Sequence, residues 1–182
     1  SSSTDPSGGV FYPDYFGKNF VLNDLTHDGG LTAIRIEGPT NSVDQRVNRL
    51  SKELGLLDQE LSILDSEQSN IFWSRTKNLE VFKSLKSNLL RIVLPMSETL
   101  QVIQKLKNFE IKYFIDWGGG LIWASFDQLN TKILSEIKDT VKKHQGYITL
   151  IKVEEDLKAS ADIFTIDPIK YKISEKIKRS FD

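Results

Sequence analysis

The 182-residue chain carries 24 basic and 25 acidic residues, a formal net charge of −1, so no global field exists to recruit nucleic acid or an anionic membrane. Its 39% hydrophobic and 27% charged content is that of an ordinary globular protein long enough to bury a core. The absence of cysteine excludes disulfides, thiolate catalysis and cysteine-ligated zinc or iron–sulfur centres within the chain, and fits a reducing compartment.

The two histidines, His27 and His144, lie far apart with no HxxxH or HxH spacing, so no metal site is expected. No apolar run approaches the roughly 20 residues of a membrane span, and the Ser-rich start lacks the regions of a signal peptide. The expectation is a cytoplasmic domain with no direct membrane insertion and no nucleic-acid partner. The chain opens Ser1-Ser2-Ser3 and its single methionine is Met96, so it is expected to be a piece of something longer.

Residues 1–30, rich in Ser, Gly, Pro and Asp, read as an extended strap or linker with at most one short strand. From Leu31 the alternation of Thr32, Ile34 and Ile36 with Ala33, Arg35 and Glu37 predicts a half-buried strand ending at Gly38-Pro39. Asn41 is the expected N-cap of a helix whose face is Val43, Val47, Leu50 and Leu54 and which Gly55 stops. Gln59–Leu64 reads as a further strand, and Asp65 or Ser66 as the cap of a helix carrying Ile71, Phe72 and Trp73.

Arg35-Ile36-x-x-Pro39 recurs 56 residues on as Arg91-Ile92-x-x-Pro95, with Val47, Arg49 and Leu50 echoed by Ile103, Lys105 and Leu106 and Asn41 by Ser97. A repeated strand–proline–cap–helix unit is what duplicated β-α-β units leave in a sequence. Ile111–Trp117 and Leu121–Phe126 are apolar-aromatic strands separated by Gly118-Gly119-Gly120, a turn signal. Ile133, Ile137 and Val141 mark the next helix, Tyr147–Val153 a strand, and Ile169, Ile173, Ile177 and Phe181 a last amphipathic helix over 168–182. The expected fold class is α+β: one domain over 31–182, a mostly antiparallel sheet with helices on one face, built from ferredoxin-like duplicated β-α-β units.

Neither Ser7-Gly8-Gly9 nor Gly118-Gly119-Gly120 matches GxGxxG or GxxxxGK[ST], and neither leads from a strand directly into a helix, so neither reads as a phosphate cradle. Trp117 and Trp123 flank the second as surfaces for a flat ring or a partner. Arg35 and Arg91, placed opposite Ile36 and Ile92, have the guanidinium geometry that binds a carboxylate bidentately, although solvent exposure or ion pairing is the simpler account of both. Asp116 fits a base or a turn-shaping residue. The lysine-rich face of the last helix reads as solvated. No Ser/His/Asp set, paired carboxylates or nucleophile elbow is present, so the residues alone describe a binding or scaffolding domain.

Several segments taken in order resemble the C-terminal region of the FAD-binding E subunit of glycolate oxidase, in the vanillyl-alcohol-oxidase-type flavoprotein superfamily. They are Ser7-Gly8-Gly9-Val10-Phe11-Tyr12-Pro13, Ile34-Arg35-Ile36-Glu37-Gly38 with Ser42-Val43 and Arg46, Trp73 with Arg75, and Leu90-Arg91-Ile92-Val93-Leu94-Pro95. Asp116-Trp117-Gly118-Gly119-Gly120 with Trp123, Gly146-Tyr147-Ile148-Thr149-Leu150 and Lys176-Ile177-Lys178-Arg179-Ser180-Phe181-Asp182 complete the set. The most specific are DWGGG-x-x-W and RIEG-x-x-x-SV. Leu90 stands where that family often has tryptophan, and the Pro-x-x-x-Phe-Asn-Pro-Gly tail that usually follows Phe-Asp there is missing.

The resemblance implies a cap domain over the isoalloxazine ring of FAD, with the cofactor held by an N-terminal domain to which residues 1–30 lead. It makes Arg35, Arg91, Trp117, Gly118, Gly119 and Trp123 the candidates for the flavin or substrate side. It implies 2-hydroxy acid oxidation by the intact protein, with no activity in this fragment alone. Its implied partners are the chain's own FAD-binding domain and the flavin D and iron–sulfur subunits, any membrane association running through them. The alternative is a non-enzymatic ferredoxin-like protein-interaction module.

Overall fold

A computed structural model describes residues 4–16, 29–55, 61–85, 88–155, 157 and 168–181. Strands and helices are interspersed along it as β1 (Gly8–Tyr12), β2 (Leu31–Arg35), α1 (Thr40–Leu54), α2 (Ser66–Lys77), α3 (Glu80–Lys83) and β3 (Asn88–Val93), then α4 (Thr99–Leu106), β4 (Ile111–Asp116), β5 (Leu121–Phe126), α5 (Thr131–Lys143), β6 (Tyr147–Lys152) and α6 (Pro168–Phe181). The strands pair antiparallel, and the fold is α+β. The chain divides into two compact units, Ser1–Leu85 with Tyr113–Gly119 and Lys86–Lys112 with Gly120–Asp182.

In the first unit β1 pairs with β2 from Gly8↔Arg35 to Tyr12↔Leu31 and meets β4 at Phe11↔Ile115. The alternation of a strand puts Gly8, Val10 and Tyr12 on one face with Leu31, Ala33 and Arg35. Val10 and Tyr12 are buried there. Helix α2 packs on this face: Phe72 meets Tyr12 edge-on at 6.3 Å, and the Tyr12 hydroxyl donates to Thr76 Oγ1 at 2.9 Å. Phe72 and Thr76 are four apart, hence on one helix face, and both are buried. The core continues through Phe114, whose ring lies 4.8 Å from Tyr12 and stacks on Phe82 at 5.6 Å.

Of the two caps the sequence offered, Asp65 and Ser66, it is Asp65 that opens α2, through a full capping box with Gln68. The expected strand over 59–64 is not formed at 61–64, and residues 59–60 lie outside the described residues. Ile63 is 69% exposed, so alternation at that point buries no face. The N-cap of α1 is Pro39 and not Asn41, because the carbonyl of Pro39 already receives the Ser42 and Val43 N–H groups. None of the expected apolar face of α1 is buried, and Leu54 is exposed. That helix is tethered by Arg46, which donates to the carbonyls of Thr4, Glu37 and Asp5. Gly55 ends it at φ 65, as the sequence indicated.

In the second unit β3 lies between β5 and β6, paired with β5 from Asn88↔Phe126 to Val93↔Leu121 and with β6 from Leu89↔Lys152 to Val93↔Tyr147. Leu90, Ile92, Ile122, Ala124, Ile148 and Leu150 alternate onto one buried face. Helix α5 packs on β6 and α4 on α5, burying Val102, Ile103 and Leu106 with Leu134, Ile137 and Val141. Buried Asn88 satisfies its amide by donating to the Phe126 carbonyl and accepting the Glu154 N–H.

The repeat survives in the backbone at one place. Pro39 (φ −60, ψ 142) and Pro95 (φ −58, ψ 137) take the same conformation, and each carbonyl accepts the N–H three residues on at 2.9 Å. Beyond it the copies part: α1 runs for 15 residues with none buried, whereas a 3-10 turn at Met96–Glu98 precedes the 8-residue α4, half of it buried. From β3 to β6 the chain order is β-α-β-β-α-β, that of a ferredoxin-like unit; the described residues before it run β-β-α-α-α and show no second copy.

Candidate functional site

The first unit holds Arg35, Trp117, Gly118 and Gly119. The notable feature around them is Gly8-Gly9. A Cβ on Gly8 would stand 3.2 Å from the Trp73 ring and 3.4 Å from Arg35 Cβ, and one on Gly9 would stand 3.3 Å from the Gly118 Cα. Successive strand residues face opposite ways, so Arg35 with Trp73 lies on one face of the β1–β2 ladder and Gly118 on the other. The unit therefore does not gather Arg35 and the glycine turn into one site.

Arg35 was expected on the face away from an inward isoleucine row, and β2 reverses this. Ile34 is 39% exposed, and Arg35 shares the α2-facing side, because bare Gly8 leaves room for Trp73 to lie over that end of the ladder. Its guanidinium is 6.0 Å from the Trp73 ring centroid, 3.0 Å from Glu37 Oε1 and 3.5 Å from Asn70 Oδ1. These contacts pin β2 to α2 and already engage the guanidinium.

The turn after β4 holds three consecutive residues at positive φ: Trp117 at 54°, Gly118 at 60° and Gly119 at 115°. Glycine takes such angles freely, but an indole-bearing residue there costs about 1–2 kcal/mol. Asp116 helps hold the turn by accepting the Trp117 N–H on Oδ1 at 2.7 Å, a turn-shaping role. Trp117 is 57% exposed. Strain that presents a large apolar ring to solvent is the kind found at binding surfaces.

The second unit does bring its two candidates together. Arg91 on β3 lies directly opposite Trp123 on β5 and, on its other side, opposite Thr149 on β6. Residues so paired stand on the same face with Cβ atoms about 5 Å apart, close enough for guanidinium, indole and hydroxyl to meet one ligand. All three are half-buried, on the face opposite Leu90 and Ile92.

No family model matches this chain, and no curated protein does. Site chemistry therefore rests on the geometry of these residues alone. Among the described residues no cluster of three or more His, Asp or Glu side chains fits a metal ion, and no helix is long and apolar enough to cross a membrane. His27 lies outside the described residues.

Reading by motif passed over two arrangements. Trp73 appeared as a helix residue and as part of the resemblance but not as a partner of Arg35, and its place over Gly8 depends on a contact 65 residues away in the chain. His144 was weighed only as a metal ligand. It is in fact bracketed by Glu98 and Lys105, residues whose approach depends on how α4 and α5 pack.

Proposed function

We propose that this chain is the substrate-side cap of an FAD-linked oxidoreductase similar to the E subunit of glycolate oxidase, acting in the intact protein on a 2-hydroxy acid. The observation that carries the reading is the Arg91–Trp123–Thr149 row across β5, β3 and β6. A guanidinium offers paired donors to a carboxylate, and an indole beside it offers a flat apolar surface to a ring. The partially exposed, strained Trp117 is a second such surface.

The residues suit the ring of a flavin better than its phosphates. Gly118 and Gly119 join strand to strand, not strand to helix, so no helix N-terminus stands behind them to hold a diphosphate. The cofactor is accordingly assigned to a separate flavin-binding domain, the chain's chief partner in this reading, with glycolate-oxidase-like flavin and iron–sulfur subunits as further partners. The flavin would supply the hydride chemistry when bound; Arg91 orients the substrate carboxylate, and Trp123 beside it excludes water and positions the ring.

The test uses the intact polypeptide that carries this segment. Flavin content by visible absorption and flavin reduction by a series of 2-hydroxy acids are measured for wild type, Arg91→Ala and Trp123→Ala. Arg91→Ala is expected to raise the KM for hydroxy acid about tenfold or more with flavin content unchanged, and Trp123→Ala to lower flavin content. A flavin-free protein, or an Arg91→Ala variant with unaltered KM, overturns the reading.

A protein-interaction module is the second reading, favoured by α6. Residues 171–181 of that helix are exposed on every side, Ile173, Ile177 and Phe181 included, which is the state of a helix that awaits a partner.

A further inference from the structure

The ends of α4 and α5 in the second unit hold a set of side chains that the cap reading does not use. Glu98 Oε2 lies 2.6 Å from His144 Nδ1, and His144 Nε2 lies 3.0 Å from Lys105 Nζ. The order carboxylate, imidazole, nucleophile is that of an activated-nucleophile site, with the amine in the place of a hydroxyl. The imidazole is largely covered, its side chain 11% exposed, while Lys105 faces solvent.

Tautomer follows from the neighbours. Glu98 accepts from Nδ1–H, which leaves the Nε2 lone pair directed at the lysine nitrogen. Ser97 Oγ lies 3.4 Å from the other Glu98 oxygen and steadies the carboxylate. An amine that gives one N–H to Nε2 keeps its own lone pair turned outward. Lys105 thus has a built-in proton acceptor, whereas lysines of α6 such as Lys172 and Lys176 stand exposed on a helix that contacts solvent all round.

We propose that Lys105 is a site of covalent acylation by small activated acyl donors, with His144 as its proton acceptor and Glu98 as the residue that positions His144. An acyl phosphate fits best. Lys107 follows Lys105 after the end of α4, and Lys142 and Lys143 precede His144 at the end of α5, all three exposed, and lysines so close in sequence to the site favour a dianionic donor. The lysine nitrogen bonds to the acyl carbon, the bond from that carbon to the phosphate oxygen breaks, and the phosphate leaves with the electron pair. Of the two protons shed by the starting ammonium, both by way of His144, one goes to the departing phosphate and the other to solvent. No oxidant or further reactant is needed.

The experiment treats the full chain with acetyl phosphate, and separately with an acetyl thioester, at limiting extent, and quantifies acetylation at each lysine by peptide mass spectrometry. With acetyl phosphate, Lys105 is expected to react about a hundredfold faster than Lys172 or Lys176 in the same molecule, the lower end of general-base assistance. His144→Gln, which keeps an acceptor for Lys105 but takes up no proton, is expected to remove that advantage and leave Lys172 unchanged. Glu98→Gln is expected to reduce it part-way. Circular dichroism and a thermal melt accompany each variant. The internal comparison in wild type decides the matter even where a variant fails to fold: a Lys105 rate no higher than that of Lys172 overturns the proposal, as does a folded His144→Gln variant that retains the advantage. Selectivity with the thioester but not with acetyl phosphate overturns the choice of an acyl phosphate.

Discussion

Tyr12 and Tyr15 place hydroxyl groups where ionisation is disfavoured. The Tyr12 hydroxyl donates to Thr76, which donates in turn to the Phe72 carbonyl; the Tyr15 hydroxyl donates to the Tyr113 carbonyl and accepts the Tyr113 N–H at 2.7 Å. Burial pushes both hydroxyls well above the usual phenol value, against the lowering effect of those hydrogen bonds, with the Asp116 charge adding to the rise for Tyr12 and the Tyr113 and Asp14 charges for Tyr15. The folded protein thus keeps its protons at a pH where the unfolded chain loses them. Stability from these groups is full below about pH 10 and falls as the pH climbs from there through the raised folded values. Urea unfolding at about pH 7 and about pH 10.5 is expected to show this loss in wild type and a smaller one in the Tyr12→Phe, Tyr15→Phe double variant. Equal slopes in the two proteins would refute the assignment. Two glycines divide in a similar way by mechanism. At Gly146 a Cβ would meet Val141 Cγ1 at 2.7 Å and the Val93 carbonyl oxygen at 2.8 Å, so Gly146→Ala is expected to destabilise by about 1–3 kcal/mol through overpacking. Gly55 has nothing within 4 Å, and Gly55→Ala is expected to lose about 1 kcal/mol through its φ of 65° alone. Denaturant midpoints distinguish the two.

Helix α2 shows how far an element can be read from sequence. Its cap was legible to within one residue because Asp65 and Ser66 are both cap-forming types, and the capping box from Asp65 to Gln68 that decides between them is a local device. Asp65→Ala is expected to lower stability by about 1 kcal/mol and Gln68→Ala by less, measured by chemical unfolding, since the aspartate satisfies a helix N–H directly. What α2 packs against was not legible, for the Tyr12–Phe72 and Gly8–Trp73 contacts join residues about 60 apart. Strands β3, β5 and β6 were legible for the opposite reason. Their alternation is strong because Leu90, Ile92, Ile122 and Ile148 are wholly or almost wholly buried. In β2, where Ile34 points outward and Arg35 inward, the same pattern gave the strand and the wrong face. The candidate residues follow suit. Arg91 and Trp123 come together through register, which the apolar pattern fixes, but Arg35 was claimed by a helix whose approach no short-range signal announces.

At the scale of the whole molecule, charge and burial are unevenly spread. Strands β1 and β3 to β6 and the helices α2 to α5 supply most of the buried residues, while residues 171–181 of α6 contribute none. Its sequence is basic and amphipathic, Lys172, Lys176, Lys178 and Arg179 set against Ile173, Ile177 and Phe181, with one ion pair of 2.7 Å from Arg179 to Glu175. A 14-residue helix whose residues 171–181 bury nothing is marginal in water, and such a pair adds only about 0.2–0.5 kcal/mol. Amide hydrogen exchange on the isolated chain is therefore expected to be fast throughout 171–181 and slow in β3, whose two neighbours and buried side chains tie its opening to that of the core. Deleting residues 171–182 is expected to leave the urea midpoint of the rest unchanged, since residues 171–181 are exposed throughout. Strong protection in α6, or a large fall in the midpoint on deletion, would mean that the apolar row is already covered within this chain, and the second reading of its function would lose its support.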